Sequence, residues 1–423
     1  MELPFFFEPS VVQPKRYTLE HHRIPPDKID THAFYVIQKL RQAGHKAYLV
    51  GGGVRDLLLN HPPKDFDVST SAKPEEIRAI FRNAILIGRR FRLAHVRFGK
   101  KIIEVSTFRA GETGAPDLIV RDNIWGSEEE DVLRRDFTIN GLFYDPETQE
   151  VIDYVDGYPD LEKKVLRTIG EPEVRFAQDP VRMIRLIKFC ARFNLNIERP
   201  TFEALLNCKE MILKSSSVRI LEELLRMLES GAAKPFFHLL AEYGMLQQLL
   251  PEIAHYLSSQ PKSDLLSLLE EIDSEVKKKP PEPIDRTILL SALIYPIFHD
   301  FIHLQSKTAR FHLGQIAEAS HHVIDCIFSP FFALPRRIRA IVSFLLTSQM
   351  RLVPLDRQMP KRARPPRDPF FPMALYLLKI RSSVQPELLP FYTFWTESTF
   401  ASHTSPPEAE SEHRRPRRRR RRR

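Results

Sequence analysis

Between Lys46 and Thr70 the order of residues leaves the chain few ways to fold. Lys46 to Val50 is a short apolar run and reads as a strand. Gly51-Gly52-Gly53 follows, then a helix from Val54 to about Asn60. His61-Pro62-Pro63 forces a break, because proline lacks a backbone donor and restricts the residue before it. Asp65 to Thr70 reads as a second strand. A strand, a glycine turn, a helix and a further strand in such close succession call for a sheet with a helix packed on it.

The neighbouring segments extend this pattern. Ala33 to Ala43 reads as a helix with Ala33, Val36, Ile37 and Leu40 on one side and Gly44 past its end. Pro74 to Arg82 reads as another, and β-like runs follow at 84–87, 93–98 and 102–108. This mixed α/β unit ends near residue 150. Beyond it the periodicity is helical: 179–193, with Val181, Ile184, Ile187 and Ala191 along one side, then 221–228, 235–250, 265–276, 286–294 and 336–346. The fold class is therefore α+β, a mixed α/β head followed by all-α neck and body domains. The expected divisions are an irregular segment 1–30, a head 31–150, a neck 151–212, a helical body 213–399 and a disordered Arg-rich tail 400–423. No internal repeat is visible.

Charge narrows the partner. Lys plus Arg is 63 and Asp plus Glu is 54, a net +9. Residues 414–423 hold nine arginines and no acid, so the rest of the chain balances at 54 against 54. Locally, Arg78, Arg82, Arg89, Arg90, Arg92, Arg97, Lys100, Lys101 and Arg109 face a single acid, Glu104, in the same stretch. Such a patch suits a polyanion. The longest apolar candidate, Ile288 to Phe298, contains Ser291 and Pro296 and is too short to cross a bilayer, so no membrane partner is expected. Phe5-Phe6-Phe7 lacks a basic start, and no secretory leader is expected. Cys190, Cys208 and Cys326 are far apart and odd in number, which suits neither a disulfide framework nor a zinc site and fits a reducing cytoplasm. A monomer is expected.

The turn and second strand carry the chemistry. Backbone N–H groups of a glycine turn leading into a helix can converge on a phosphate, and Arg55 can add a charge-assisted contact. Asp65 and Asp67, two apart on a strand, project to the same side, with Phe66 and Val68 toward the core. Two adjacent carboxylates repel unless cations neutralise them. A pair of Mg²⁺ ions does so in displacement reactions at phosphorus. Gly51 to Asp67 spans only 17 residues, which makes the combination far more specific than either motif alone.

These residues resemble the head motifs of the class II nucleotidyltransferases, the family of bacterial poly(A) polymerases and tRNA CCA-adding enzymes. The matching motifs are Gly51-Gly52-Gly53-Val54-Arg55-Asp56 and Asp65-Phe66-Asp67. Arg134-Arg135-Asp136-Phe137-Thr138-Ile139-Asn140, Asp153 to Leu161, and the neck segment Asp179-Pro180-Val181-Arg182-Met183-Ile184-Arg185 follow in family order. Ile87 to His95 and Ile103 to Arg109 are more similar to the poly(A) polymerase branch, with a fainter likeness at Lys361-Arg362-Ala363-Arg364 and the arginine-rich end. The neck motif of the family usually begins Glu-Asp; here it begins Gln178-Asp179, which keeps hydrogen bonding and loses a charge.

The resemblance implies a polymerase-β-like head and addition of AMP from ATP to RNA 3′ ends. It implies Asp65 and Asp67 as Mg²⁺ ligands and catalytic groups, Asp136 as a further active-site acid, and Gly52, Arg55, Arg135, Arg182 and Arg185 around the nucleotide. Glu104 is open between third metal-facing carboxylate and structural residue, and Asp136 between active-site acid and partner of Arg134 or Arg135. His95 reads as a structural hydrogen-bonder. Two other functions stand beside this one: CCA addition to tRNA, and a non-catalytic RNA-binding protein on the same fold.

Overall fold

The computed structural model describes residues 13–88, 93–110, 124–306, 312–359 and 366–404, in two units, Met1–Ala254 and His255–Arg423. The first unit is built on an eight-stranded sheet. Its strands are β1 (Lys15–Tyr17), β2 (Ala47–Val50), β3 (Asp67–Thr70), β4 (Ala84–Ile87), β5 (Leu93–Phe98) and β6 (Lys101–Thr107), then β9 (Leu142–Asp145) and β10 (Glu150–Asp153). Between them β7 (Arg109–Ala110) and β8 (Ile124–Trp125) form a separate two-stranded ribbon. The sheet order is β1-β10-β9-β2-β3-β6-β5-β4. Only β3 and β6 run parallel; the other neighbours are antiparallel.

The order follows from the side chains. β9 is buried along its whole length, so it takes a central position, and β4 alternates enough to serve as an edge. Tyr48 and Phe143 stack with ring centroids 5.6 Å apart, and Phe108 stacks on Phe143 at 6.0 Å. With Val50, Val132, Ile152 and Ile169 they form a core under the glycine turn. The helix Thr31–Gln42 buries Ala33, Val36, Ile37 and Leu40, the side expected from its periodicity.

Several boundaries differ from expectation. Residues 15–17, read as irregular, pair in register with β10, where Lys15 meets Asp153 and Tyr17 meets Val151. The predicted helix 179–193 begins at Val181 and runs to Phe193, and a separate helix, Pro172–Gln178, precedes it. Asp179 between them is extended, because Pro180 disfavours the helical conformation in the residue before it. Gly244, with φ +74°, divides the predicted helix 235–250 into Ala233–Glu242 and Leu246–Leu249.

The second unit is helical: Leu265–Lys277, Arg286–Ser306, Leu313–Phe328, Arg336–Leu352, Phe371–Val384 and Leu389–Thr404. The helix from Arg286 was expected to stop near Ile294; it continues through Pro296 to Ser306. Twenty of its residues are, by length and composition, apolar enough to cross a membrane, contrary to the reading of Ile288 to Phe298 as too short. That stretch is 67% buried within the protein, where Leu289, Leu293 and Phe298 are core residues. The last helix runs through Thr404, into the segment read as disordered; residues 405–423, with the arginine run, lie outside the described residues. Cys190, Cys208 and Cys326 are not joined in disulfides.

Candidate active site

The glycine turn is built by two of its three glycines. Gly51 has φ +65° and ψ −127°, a region that essentially only glycine enters. A Cβ on Gly51 would stand 3.1 Å from Arg135 Nη1, and one on Gly53 would stand 3.2 Å from the carbonyl oxygen of Asp65. Gly53 therefore lets the turn press against the segment that carries Asp65. Gly52 is different: a Cβ there would meet only Arg55 Nη2, at an ordinary 3.6 Å. The helix begins at Gly52 rather than Val54, so the turn and the first helical residues coincide.

β3 begins at Asp67, so Asp65 lies just before the strand and not on it as expected. Val68 is fully buried, while Phe66 is half-buried. Asp67 is in register with Val50 on β2 and with Glu104 on β6. Burial, then the charges of Glu104 and Asp65, push the Asp67 carboxyl up to about 6, with Arg135 pulling it the other way. Among the described residues, the side-chain carboxylates of Asp65 and Asp67 have no hydrogen-bond or ion-pair partner. Glu104 is in register with His95 on β5, and His95 Nε2 stands 3.4 Å from its carboxylate.

Arg135 links this edge to the turn. Its guanidinium donates to Asp131 Oδ2 at 2.8 Å and to Ser69 Oγ and the Asn140 carbonyl at 3.3 Å each, and it lies 5.5 Å from the centre of the Phe143 ring. Arg134 reaches the same Asp131, so neither pairs with Asp136 as the structural alternative had it. Asp136 is buried. Its Oδ1 accepts from the Phe137 amide and from Asn140 Nδ2, both at 2.9 Å, and Arg185 Nη2 stands 2.8 Å from its Oδ2. Burial alone would raise its pKa; Arg185, Asn140 and Arg182 outweigh that and hold it below the usual carboxylate range.

Arg55 is enclosed. It donates from Nε and Nη2 to Asp56 at 2.9 and 2.6 Å and from Nη1 to Asn140 Oδ1 at 2.7 Å, and it lies against Phe189 and Phe193 at 4.6 and 4.8 Å. Asp56 also pairs with Arg192 at 3.2 Å. Side chains thus connect Arg192, Asp56, Arg55, Asn140, Asp136 and Arg185 in unbroken sequence, tying the glycine-turn helix to the helix Val181–Phe193. Asn140 is the link that sequence reasoning left without a role. Only its place in the motif hinted at one.

The neck residues divide. Arg182 donates to the carbonyls of Arg175 and Arg134 at 3.0 and 3.3 Å, so these donors are taken up by backbone. Gln178 is buried and accepts from Arg175 Nη1 at 3.0 Å. Arg175 itself donates to the Arg134 and Arg135 carbonyls at 2.8 and 2.6 Å. Asp179 is held by both terminal nitrogens of Arg219, at 3.0 and 2.8 Å. Of the expected basic patch, Arg78, Arg82, Arg97 and Lys100 are exposed, Lys101 pairs with Asp30, and Arg109 is buried and not part of the surface. Arg89, Arg90 and Arg92, Lys361 to Arg364 and the arginine tail lie outside the described residues.

One unpaired carboxylate at the start of a central strand and another just before it, beside a glycine turn and Arg135, form the arrangement of a nucleotidyltransferase head. Comparison with known proteins agrees. Residues 47–167 match the family model "Poly A polymerase head domain", and residues 194–257 match "Probable RNA and SrmB- binding site of polymerase A". The chain is 36% identical over 408 residues to poly(A) polymerase I of Salmonella typhimurium, covering 92% of this chain and 86% of that protein. It is 39% identical over 202 residues to the CCA-adding enzyme of Lactobacillus delbrueckii subsp. bulgaricus, covering 47% of this chain and 50% of that one. The crystal structure of the Bacillus stearothermophilus CCA-adding enzyme in complex with CTP superposes with a TM-score of 0.59 at 26% identity, over 89% of this chain and 83% of that chain. The chain belongs to the class II nucleotidyltransferase family, whose members are poly(A) polymerases and CCA-adding enzymes.

Enzymes of this class use a divalent metal with the nucleotide. Asp65 and Asp67 fit one. Among the described residues no group of three or more His, Cys, Asp or Glu side chains forms a closed metal cage. Mg²⁺ does not need one: it is held through one or two carboxylates and substrate phosphates, keeping several waters. Two adjacent carboxylates without a side-chain partner, one with its proton affinity raised by burial and then by its acidic neighbours, are the donor set for that mode.

Proposed function

We propose that this chain adds adenylate units from ATP to RNA 3′ ends without a template. The observation that carries the reading is coverage. The likeness to poly(A) polymerase I continues through 92% of the chain, including the helical unit, whereas the curated CCA-adding relative matches over 47%. In this reading Asp65 and Asp67 would hold Mg²⁺, and the ion, when bound, would supply charge neutralisation at the phosphates and a lowered pKa for the attacking hydroxyl. Gly52 leaves room for a phosphate to approach the turn, and Arg135 places a cation between the turn and Asp67. Arg185 reaches toward the nucleotide from the neck. Arg55 and Arg182, whose donors are engaged inside the protein, act as positioning residues. So does Asp136, which orients Arg185 directly and Arg55 through Asn140. Positioning and charge carry most of such a reaction.

The identity shared with a CCA-adding enzyme over 202 residues favours a second reading, CTP and ATP addition to tRNA. One assay separates the readings. The protein is incubated with a generic RNA or with tRNA lacking its CCA end, and with ATP, CTP or both. Long A-tracts on the generic RNA are expected. Three-nucleotide addition confined to the tRNA would establish the second reading, and no addition to either would leave a non-catalytic RNA-binding protein.

A further inference from the structure

The helical unit contains a buried cation that the proposed transfer chemistry does not use. Arg381, on the helix Phe371–Val384, is 3% exposed. Its Nη1 donates to Gln349 Oε1 at 2.9 Å, a neutral partner whose own amide is engaged with the Ala374 carbonyl at 2.9 Å. The guanidinium lies 3.8 Å from the centre of the Tyr295 ring, and Nε is buried without a hydrogen-bond partner. No carboxylate among the described residues stands within ion-pair distance of it. An arginine stays charged under all ordinary conditions, and an uncompensated buried charge is strongly unfavourable.

Arg381 lines a cavity of about 270 Å³ inside this unit, together with Tyr295, Gln260, Lys262 and His299. Two acids also line it, and both have partners in the wall: Asp264 accepts from Gln385, while Asp300 accepts from the Tyr256 hydroxyl at 2.7 Å and stands 3.3 Å from His299 Nδ1. Lys262 is exposed at the rim. The cavity therefore offers a planar guanidinium fork with unused donors and a second cation at the entrance, and its size is near the lower end of the ~300–1,000 Å³ typical of ligand pockets.

We propose that this cavity is an anion site that takes a phosphate group, carried either by a free phosphate or mononucleotide or by a single nucleotide of RNA. The guanidinium matches two phosphate oxygens at once, and the anion supplies the charge that the fold leaves out.

The test is thermal unfolding of the full chain at constant ionic strength, with chloride replaced by inorganic phosphate, by AMP or by a 5′-phosphorylated RNA oligonucleotide. Wild-type protein and Arg381→Met are compared. Without added phosphate, Arg381→Met should be as stable as wild type or more so, because an unpaired charge has been removed. At a hundredfold excess over Kd the wild-type Tm should rise by roughly 5–10 °C, and the part of that rise absent from the variant belongs to this cavity. A variant-sensitive rise with phosphate or AMP identifies a free ligand, and one confined to the oligonucleotide identifies RNA. Equal rises in both proteins, or none, would overturn the proposal. Should the variant fail to fold, hydrogen exchange on wild type decides: phosphate must slow exchange in 256–264 and 381–385, and unchanged exchange there refutes the site.

Discussion

Gly51 and Gly52 are neighbours under different constraints. Gly51 holds a conformation closed to other residues, with Arg135 against the place a Cβ would occupy. Gly51→Ala should cost about 1–3 kcal/mol and displace Arg135, so both stability and transfer should fall. Gly52→Ala meets only an ordinary contact. It should leave the urea unfolding midpoint nearly unchanged while raising the KM for ATP several-fold. Equal behaviour of the two variants would remove the case for a phosphate beside Gly52. At this scale the sequence was informative where chemistry is local: the glycine turn and Asp65-Phe66-Asp67 lie close together in the chain. It was blind to Asn140, because its partner Arg55, and the Arg185 that it meets only through Asp136, come from segments brought near only by folding. For the same reason Arg55 read as a phosphate ligand, although its donors turn inward.

Elements show the same division. Strands 84–87 and 93–98 were legible to the residue, since a short β-like run is a local property. The strand Lys15–Tyr17 was not, because what makes it a strand is β10, far along the chain. The helix from Arg286 outran its predicted end because burial in the helical unit outweighs the cost of Pro296. In that unit Glu275 joins two helices. It accepts from Lys278 at 2.6 Å and from Lys379 and Tyr376 at 2.7 Å each. Burial would raise its pKa, but these partners hold it at about 2. The folded pKa lies below the unfolded one, so this stabilisation is complete above about pH 4.5 and is lost as pH falls toward 2. Glu275→Gln should cost roughly 1.5–3 kcal/mol at neutral pH. The difference from wild type should shrink steadily between pH 4.5 and pH 2 in denaturant titrations, and a constant difference across that window would show that the carboxylate charge is not what joins the helices.

For the whole molecule, charge is the main long-range property. Without residues 414–423 the chain is formally neutral, so attraction for RNA should depend on the arginine run and on local patches such as Arg78, Arg82, Arg97 and Lys100. Deleting 414–423 should weaken RNA binding. It should also make the slope of log K against log salt shallower by about 0.7 for each RNA phosphate that the tail neutralises. A slope that does not change would mean that the tail is not a major RNA-binding element. The proposed catalytic groups, Asp65 and Asp67, lie in a different part of the chain, and the central claim rests there. Single-turnover transfer of AMP to RNA by Asp65→Asn and Asp67→Asn tests it most directly, with RNA affinity measured alongside. The account predicts a fall of roughly a thousandfold or more, equivalent to about 4 kcal/mol in the barrier, with RNA affinity little changed. Transfer within tenfold of wild type in either variant would contradict it.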